Sequence, residues 1–302
     1  MKRSGLLFGI GAYGSWGLFP AFFPLLKPAG AVEILSHRIV WGFLFLFVVV
    51  AAVHRLRDLR AISGRTWMLL ALASALISVN WLIYVYAVNN GHVVDAALGY
   101  FINPLVTVLL GLVVFRERLN RAQGAAVAIA VAAVVMLTVQ VGAPPYIGLG
   151  LALTFGLYGA VKKVVPVDPR VSVGIETALA APFALGYLIV LQTGGHAAFV
   201  GYGAGHVVLL MLAGVLTAVP LLLFAAAAHR LPLVTMGLLF YMTPIMQLSW
   251  GVLVGHEPMP PARWLGFALI WVALAVFTVD AVIRSRSARA ASARNPVSGA
   301  LP

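Results

Sequence analysis

The chain has 302 residues, of which 62% are hydrophobic and only 9% charged, and it carries a net charge of +12. A soluble chain is about 25% charged, and no soluble core of this length hides so much apolar surface, so lipid is the expected solvent. The basic excess forms no single face or stripe, which argues against nucleic-acid binding, and the absence of cysteine excludes disulfides, thiolate zinc sites and thiol catalysis.

A membrane-crossing helix needs about 20 mostly apolar residues. Ten segments qualify: 5–26, 32–53, 67–88, 95–115, 122–140, 146–163, 171–191, 207–228, 233–254 and 263–283. The first follows Met1-Lys2-Arg3 and contains Trp16, Pro20 and Pro24 with no clear small-residue cleavage site, so it reads as a retained helix rather than a signal peptide. Its Gly9–Gly14 stretch fits G-x-G-x-x-G, but a dinucleotide site needs a preceding strand in a βαβ unit, which a membrane span lacks. Gly5 with Gly9, and Gly251 with Gly255 in the ninth span, read instead as faces for close helix contact.

The second span holds Glu33, His37 and Arg38. Glu33 and His37 are four apart and share a helix face, and Arg38 projects about 100° further round. A carboxylate and an imidazole near a positive charge suit a proton relay, whereas Glu33 at a helix start equally suits a cap with its pair at the membrane surface. An arginine inside a span costs about 2.5–3.5 kcal/mol on insertion scales. Arg38 is therefore a contact for a substrate carboxylate, a structural partner of Glu33, Glu176 or helix carbonyls, or a side chain that snorkels to the surface.

In the third span Trp81, Tyr84 and Val88 fall on one face, flanked by Asn80; in the fourth, Asn103 and Thr107 share a face beside Tyr100. Aromatic and amide groups at mid-span suit a cavity for a small amphipathic solute, and equally suit contacts between helices. Pro104 and Pro244 sit inside spans and are candidate hinges. Glu117 and Glu257, just beyond the fourth and ninth spans, read as structural or gating elements. Glu176 in the seventh span either lines the cavity or pairs with Arg38, and Tyr241 and Thr243 occupy the ninth span.

Ten spans place both termini on one side. If that side is cytoplasmic, 17 of the 20 lysines and arginines lie in cytoplasmic segments, only Lys27 and Arg263 lie in outer loops, and Arg38 lies within a span. The expectation is an inner-membrane, multi-pass protein with both termini cytoplasmic. Residues 284–302 have no apolar period and read as a disordered basic tail.

Sliding the chain by 140 residues brings Pro104 onto Pro244, Gly111 onto Gly251 and Glu117 onto Glu257; a shift of 143 brings Glu33 onto Glu176. All four glutamates pair in this way. The expected fold is all-α and integral to the membrane, with ten transmembrane helices in two five-helix repeats, residues 1–143 and 144–283. Five is odd, so the second copy is inverted, an arrangement that places a solute site near the midplane.

The stretches Gly14-Ser15-Trp16-Gly17, Glu33 through Arg38, Asn80 through Tyr84, Gly99 through Pro104 with Glu117, and Tyr241 through Pro244 with Glu257 together resemble the EamA-type permeases of the drug/metabolite transporter superfamily, most of all their RarD group. The resemblance covers nearly all of residues 5–283 and implies ten helices, a central cavity and transport of small metabolites. The group's name is linked to chloramphenicol sensitivity, which does not make that compound the substrate.

The resulting expectation is a secondary transporter working by alternating access, with a small-molecule substrate, lipid as its surroundings, protons as a candidate coupling ion, and no cofactor, metal or nucleic-acid partner. The residues expected at the substrate are Arg38, His37, Trp81, Tyr84, Asn80, Tyr100, Asn103, Glu176 and Tyr241, with Glu33, Pro104, Pro244, Glu117 and Glu257 in coupling or gating. The chain has no P-loop, no H-E-x-x-H and no G-x-S-x-G. A lipid-modifying membrane enzyme would need clustered acids or a metal site, and the eight acids are dispersed. A scaffold or sensor leaves the repeat and the polar mid-span residues unexplained.

Overall fold

The computed structural model describes residues 3–52, 63–116, 118–167 and 169–294. Glu117 and the basic residues Lys2, Arg55, Arg57 and Arg60 lie outside the described residues. The described residues are helical, with no strand among them: α1 (Arg3–Gly17), α2 (Phe19–Phe22) and a 3₁₀ turn (Phe23–Leu26), then α3 (Ala31–Ala52), α4 (Gly64–Asn89), α5 (Val93–Phe115), α6 (Arg121–Val141), α7 (Tyr146–Val164), α8 (Pro169–Thr193), α9 (Ala204–Ala228), α10 (Leu233–Phe240), α11 (Met242–Leu253) and α12 (Pro261–Arg294).

All ten predicted segments are helical. Among the described residues, nine helical stretches are long and apolar enough to cross a membrane, and ten if α1 and the bent α2 segment count as one. That first span bends by 43°. The ninth is interrupted at Tyr241, between α10 and α11. Pro104 sits within an unbroken α5, whereas Pro244 falls in the first turn of α11, where a missing N–H is least costly.

The surface carries many bare apolar side chains, and the largely apolar interior also holds charged and amide groups, a combination unlike that of a soluble protein. Phe183 is 82% exposed and Val190 70%, while Glu33, Arg38, Asn80, Glu176 and Gln247 are buried. Lipid accounts for both: it accepts bare apolar side chains and drives charged ones toward protein. The molecule is a multi-pass membrane protein.

The chain forms two compact units that do not coincide with the sequence halves: residues 1–107 with 145–258, and residues 108–144 with 259–302. In the smaller unit α6 lies along α12. Asn120 caps α6 through the Gln123 amide at 2.8 Å, and its own side-chain amide donates to both oxygens of Asp280 at 3.0 and 2.9 Å. Asp280 also pairs with Arg284 at 2.8 Å. The structure departs from the expectation of a disordered tail from residue 284, because α12 continues to Arg294. Alanine and arginine extend an existing helix at little cost and need no apolar period to do so.

In the larger unit two backbone contacts set helix spacing. A Cβ on Gly214 of α9 would lie 2.6 Å from the Trp41 carbonyl carbon of α3, and one on Gly99 of α5 would lie 2.6 Å from the Gly148 oxygen of α7. Small residues bring helices this close where no hydrophobic drive between them exists. Gly9 similarly admits Leu239, and Gly251 admits Val94, in keeping with the close-contact reading, whereas Gly255 meets only the backbone of Gly251 in its own segment.

Candidate functional site

Arg38 leaves the second turn of α3 and is only 2% exposed, so it does not snorkel. Its guanidinium carbon stands 5.5 Å from the Phe19 ring and 5.0 Å from both the Phe23 and Trp81 rings. Its Nε donates to the Thr217 hydroxyl of α9 at 3.0 Å, while Nη1 has no hydrogen-bond partner among the described residues. No described acidic residue forms an ion pair with it. The result is a buried cation held by aromatic faces and one hydroxyl, with an unspent donor.

The bend in the first span makes this possible. Turning the chain after Gly17 carries Phe19 and Phe23 under α3, where they join the core with Tyr84, Val85 and Leu210. Tyr84 meets Phe23 at 5.9 Å and Tyr100 at 5.7 Å between ring centres. Its hydroxyl accepts from Gln247 Nε2 of α11 at 2.9 Å, and the same nitrogen reaches the Trp16 carbonyl at 3.3 Å. Gln247 Oε1 is left without a partner, as is Asn103 Oδ1, three residues beyond Tyr100 on α5.

The structure thus gathers Arg38, Trp81, Tyr84 and Tyr100 of the sequence-predicted residues. It adds Phe19, Phe23, Thr217 and Gln247, which sequence reasoning missed. Gln247 carried a signal in retrospect, an amide inside a span three residues after Pro244. Phe19 and Phe23 carried none, because they look like any lipid-facing phenylalanine until the bend is known.

Other predicted residues are engaged elsewhere. Asn80 donates to the Leu151 carbonyl and the Thr154 hydroxyl, both at 2.9 Å, joining α4 to α7. Glu176 takes Lys162 at 2.6 Å, Ser172 at 2.6 Å and the Tyr158 hydroxyl at 3.0 Å, and Lys162 also bonds Ser172. Of the two roles weighed for Glu176, pairing with Arg38 is therefore not the one observed. Glu33 accepts from the Ala198 amide at 2.7 Å, and Tyr241 stands at the α10–α11 break against Phe240. Glu257 accepts from the Val93 and Val94 amides at 2.6 and 2.8 Å, so it caps α5. Burial raises its carboxyl above the usual range, and those two amides pull it back only in part.

His37 stacks on Phe199 at 4.7 Å, and its Nδ1 accepts from Trp41 Nε1 at 3.1 Å. The neutral ring then carries its proton on Nε2, which is buried without a partner, like Nε2 of His206 at the start of α9. Among the described residues no cluster of three metal-ligating side chains occurs. A separate cavity of about 430 Å³, lined by Ala31, Val32, Leu82, Ile83, Tyr86, Tyr146 and Ile147, has no charged side chain and suits hydrocarbon rather than an ionic solute.

Known proteins agree with this architecture. The first half of the chain, residues 3–139, matches the EamA-like transporter family. A RarD protein of Streptomyces exfoliatus is 48% identical over 291 residues, which is 96% of this chain and 92% of the relative. An uncharacterised transporter of Bacillus subtilis, YojE, is 42% identical over 95% of this chain and 97% of its own length. A crystal structure 18% identical to the chain superposes with a TM-score of 0.59 over 92% of this chain and 98% of the other, a likeness of fold alone. With 48% identity to a RarD protein over nearly the full length of both chains, and with helices long and apolar enough to cross a membrane, the chain belongs to the EamA-like transporter family, as a RarD-type permease of the drug/metabolite transporter superfamily.

Proposed function

We propose that this permease is a secondary transporter for a small organic anion, and that Arg38 receives the anionic group. The observation that carries this is the buried guanidinium that lacks a described acidic partner and keeps Nη1 unbound. A buried charge left in that condition is expensive in a structural element and useful in a binding site. The rings of Phe19, Phe23, Trp81, Tyr84 and Tyr100 add apolar faces for the rest of the solute.

Transport proceeds by alternating access between two inverted five-helix repeats in the inner membrane, with both termini cytoplasmic. Three features support the repeat. The most extensive contacts between helices persist when the halves are exchanged: α1 on α9 answers α7 on α4, α3 on α9 answers α8 on α4, and α3 on α8 and α6 on α12 answer themselves. Arg116 and His256, equivalent under the 140-residue shift, are the only described non-glycine residues with positive φ, at 53° and 50°. Gly9 beneath Leu239 answers Gly148 beneath Gly99. Two similar halves give two states of similar energy, which a carrier requires.

The test is counterflow in vesicles. Purified protein reconstituted into liposomes preloaded with unlabelled acid takes up labelled acid, and does not take up labelled cations or neutral solutes of the same size. Uptake of cations in place of acids overturns the assignment of Arg38.

A second observation bears on coupling. His206 lies within electrostatic reach of Glu33, whose carboxylate ties down the segment before α9, and His37 follows Glu33 by four residues on α3; both imidazoles keep Nε2 without a partner among the described residues. This supports the start of α3 as the place where proton movement is coupled to transport. An imposed pH gradient then drives accumulation, whereas equilibration indifferent to the gradient removes the proposal.

A further inference from the structure

Gln247 is 1% exposed, and its two ends are treated unequally. The Trp16 carbonyl can only accept a hydrogen bond, so the amide group facing it at 3.3 Å is Nε2. This fixes the orientation of the amide and leaves Oε1 as a buried acceptor with nothing to accept from. Nε2 also donates to the Tyr84 hydroxyl at 2.9 Å. That hydroxyl, being used as an acceptor, keeps its own proton as a donor. Tyr84 in turn shares the Phe23 ring with Arg38: the guanidinium is 5.0 Å from that ring and the Tyr84 ring is 5.9 Å from it.

The cluster around Tyr84 therefore presents two kinds of unused polar group. Arg38 Nη1 and the Tyr84 O–H are donors; Gln247 Oε1 is an acceptor. A plain carboxylate satisfies the donors and leaves Oε1 stranded. A buried polar group left unpaired is costly, and sites built this way reject the analogue that lacks the matching group far more strongly than apolar pockets reject a changed methylene. Resting on the reading of Arg38 as the anion contact, we infer that Gln247 is a specificity-determining residue, and that it selects acids carrying an N–H donor beside the carboxylate over the same acids without it.

The probes are matched pairs that differ only in the amino group, such as phenylalanine with 3-phenylpropionate and leucine with 4-methylpentanoate. Their affinities are measured by thermal shift and by competition in the counterflow assay. In the wild type each amino-bearing member binds about tenfold or more tightly than its partner, the effect of one hydrogen bond to a charged group. Gln247→Met removes that preference, so that the two members of each pair bind equally. Gln247→Asn, which keeps an amide acceptor but draws it back by one methylene, weakens the preference without removing it, so the inference remains testable if the methionine variant does not fold.

Equal binding within pairs in the wild type overturns the inference, as does a preference that survives Gln247→Met. Arg38→Met separates this from the underlying reading. Loss of both members of each pair in that variant supports Arg38 as the anion contact whatever Gln247 does, and unchanged binding of plain acids in it overturns Arg38 alone. Failure of every pair to bind the wild type overturns both.

Discussion

Replacing Arg38 by methionine separates a binding role from a structural one, because a binding role predicts a small change in stability with a large loss of affinity and a structural role predicts the reverse. Methionine keeps most of the volume and removes the charge. The folded protein then loses three cation–π contacts, at 5.0 to 5.5 Å, each worth about 0.5–2 kcal/mol. It also loses the 3.0 Å bond to Thr217, worth about 1.5–3 kcal/mol for a charged donor. Against these stands relief from burying a cation without a described acidic partner, several kcal/mol per ion after relaxation. The terms nearly cancel, so Arg38→Met changes stability by no more than about 2 kcal/mol in either direction. Binding has no such compensation. Losing a charge-assisted contact to an anion removes about 3 kcal/mol or more, roughly a hundredfold in affinity. Thermal unfolding in detergent and equilibrium binding of an organic acid, measured on the same preparations, check the two halves of the prediction. A melting temperature lowered by more than about 10 °C together with unchanged affinity refutes it, since that pattern belongs to a structural cation.

Glu257→Ala leaves two buried amides at the start of α5 without an acceptor and is expected to destabilise by about 2–4 kcal/mol; Glu257→Gln keeps one acceptor, sheds a carboxylate whose burial is already unfavourable, and loses less than half as much in chemical unfolding. Lys162→Met strands Glu176 and costs about 3–5 kcal/mol. The double variant Lys162→Met with Glu176→Leu recovers most of that loss, so a double-mutant cycle returns a coupling energy of similar size. Gly214→Ala forces α9 away from the Trp41 backbone and lowers stability by about 1–3 kcal/mol, whereas Gly237→Ala, which meets open space, is neutral in the same assay.

Much of the architecture was legible because lipid leaves the backbone little choice. An apolar run of about 20 residues in hydrocarbon must satisfy its own amides, so counting such runs located the nine helical stretches, ten with the bent first one, that are long enough to cross a membrane. What happens inside a run was far less legible. Pro104 and Pro244 look alike in sequence, yet one sits in continuous helix and the other at the start of a new one, because only the latter lies where an N–H can be spared. In the site, Arg38, Trp81, Tyr84 and Tyr100 were visible as polar or aromatic groups out of place in an apolar span. Asn80 was equally visible, but the Leu151 carbonyl and Thr154 hydroxyl that occupy its amide lie 71 and 74 residues away. Thr217 stands 179 residues from Arg38, and no local pattern links them. Residue type announces that a polar group is buried; the partner it finds is a property of the fold.

The use made of the few acids explains why Arg38 is left to aromatic rings. Each described glutamate is engaged by donors in its own surroundings: Glu33 by the Ala198 amide, Glu176 by Lys162, Ser172 and Tyr158, and Glu257 by two amides of α5. A carboxylate beside Arg38 would have stabilised the empty protein better than Phe19, Phe23 and Trp81 do. On the proposal that Arg38 receives an anion, it would also have occupied the same donors and cancelled the field that attracts the solute. Aromatic faces stabilise the cation through its plane and leave N–H groups at its edge unspent. A ring cage therefore keeps the charge buried without supplying a competitor, and the free Nη1 is its structural consequence. On this argument, placing an acid at the cage, as in Trp81→Glu, stabilises the fold around Arg38 and abolishes acid binding together, and a variant that gains stability while still binding acids breaks the link between the cage and the site.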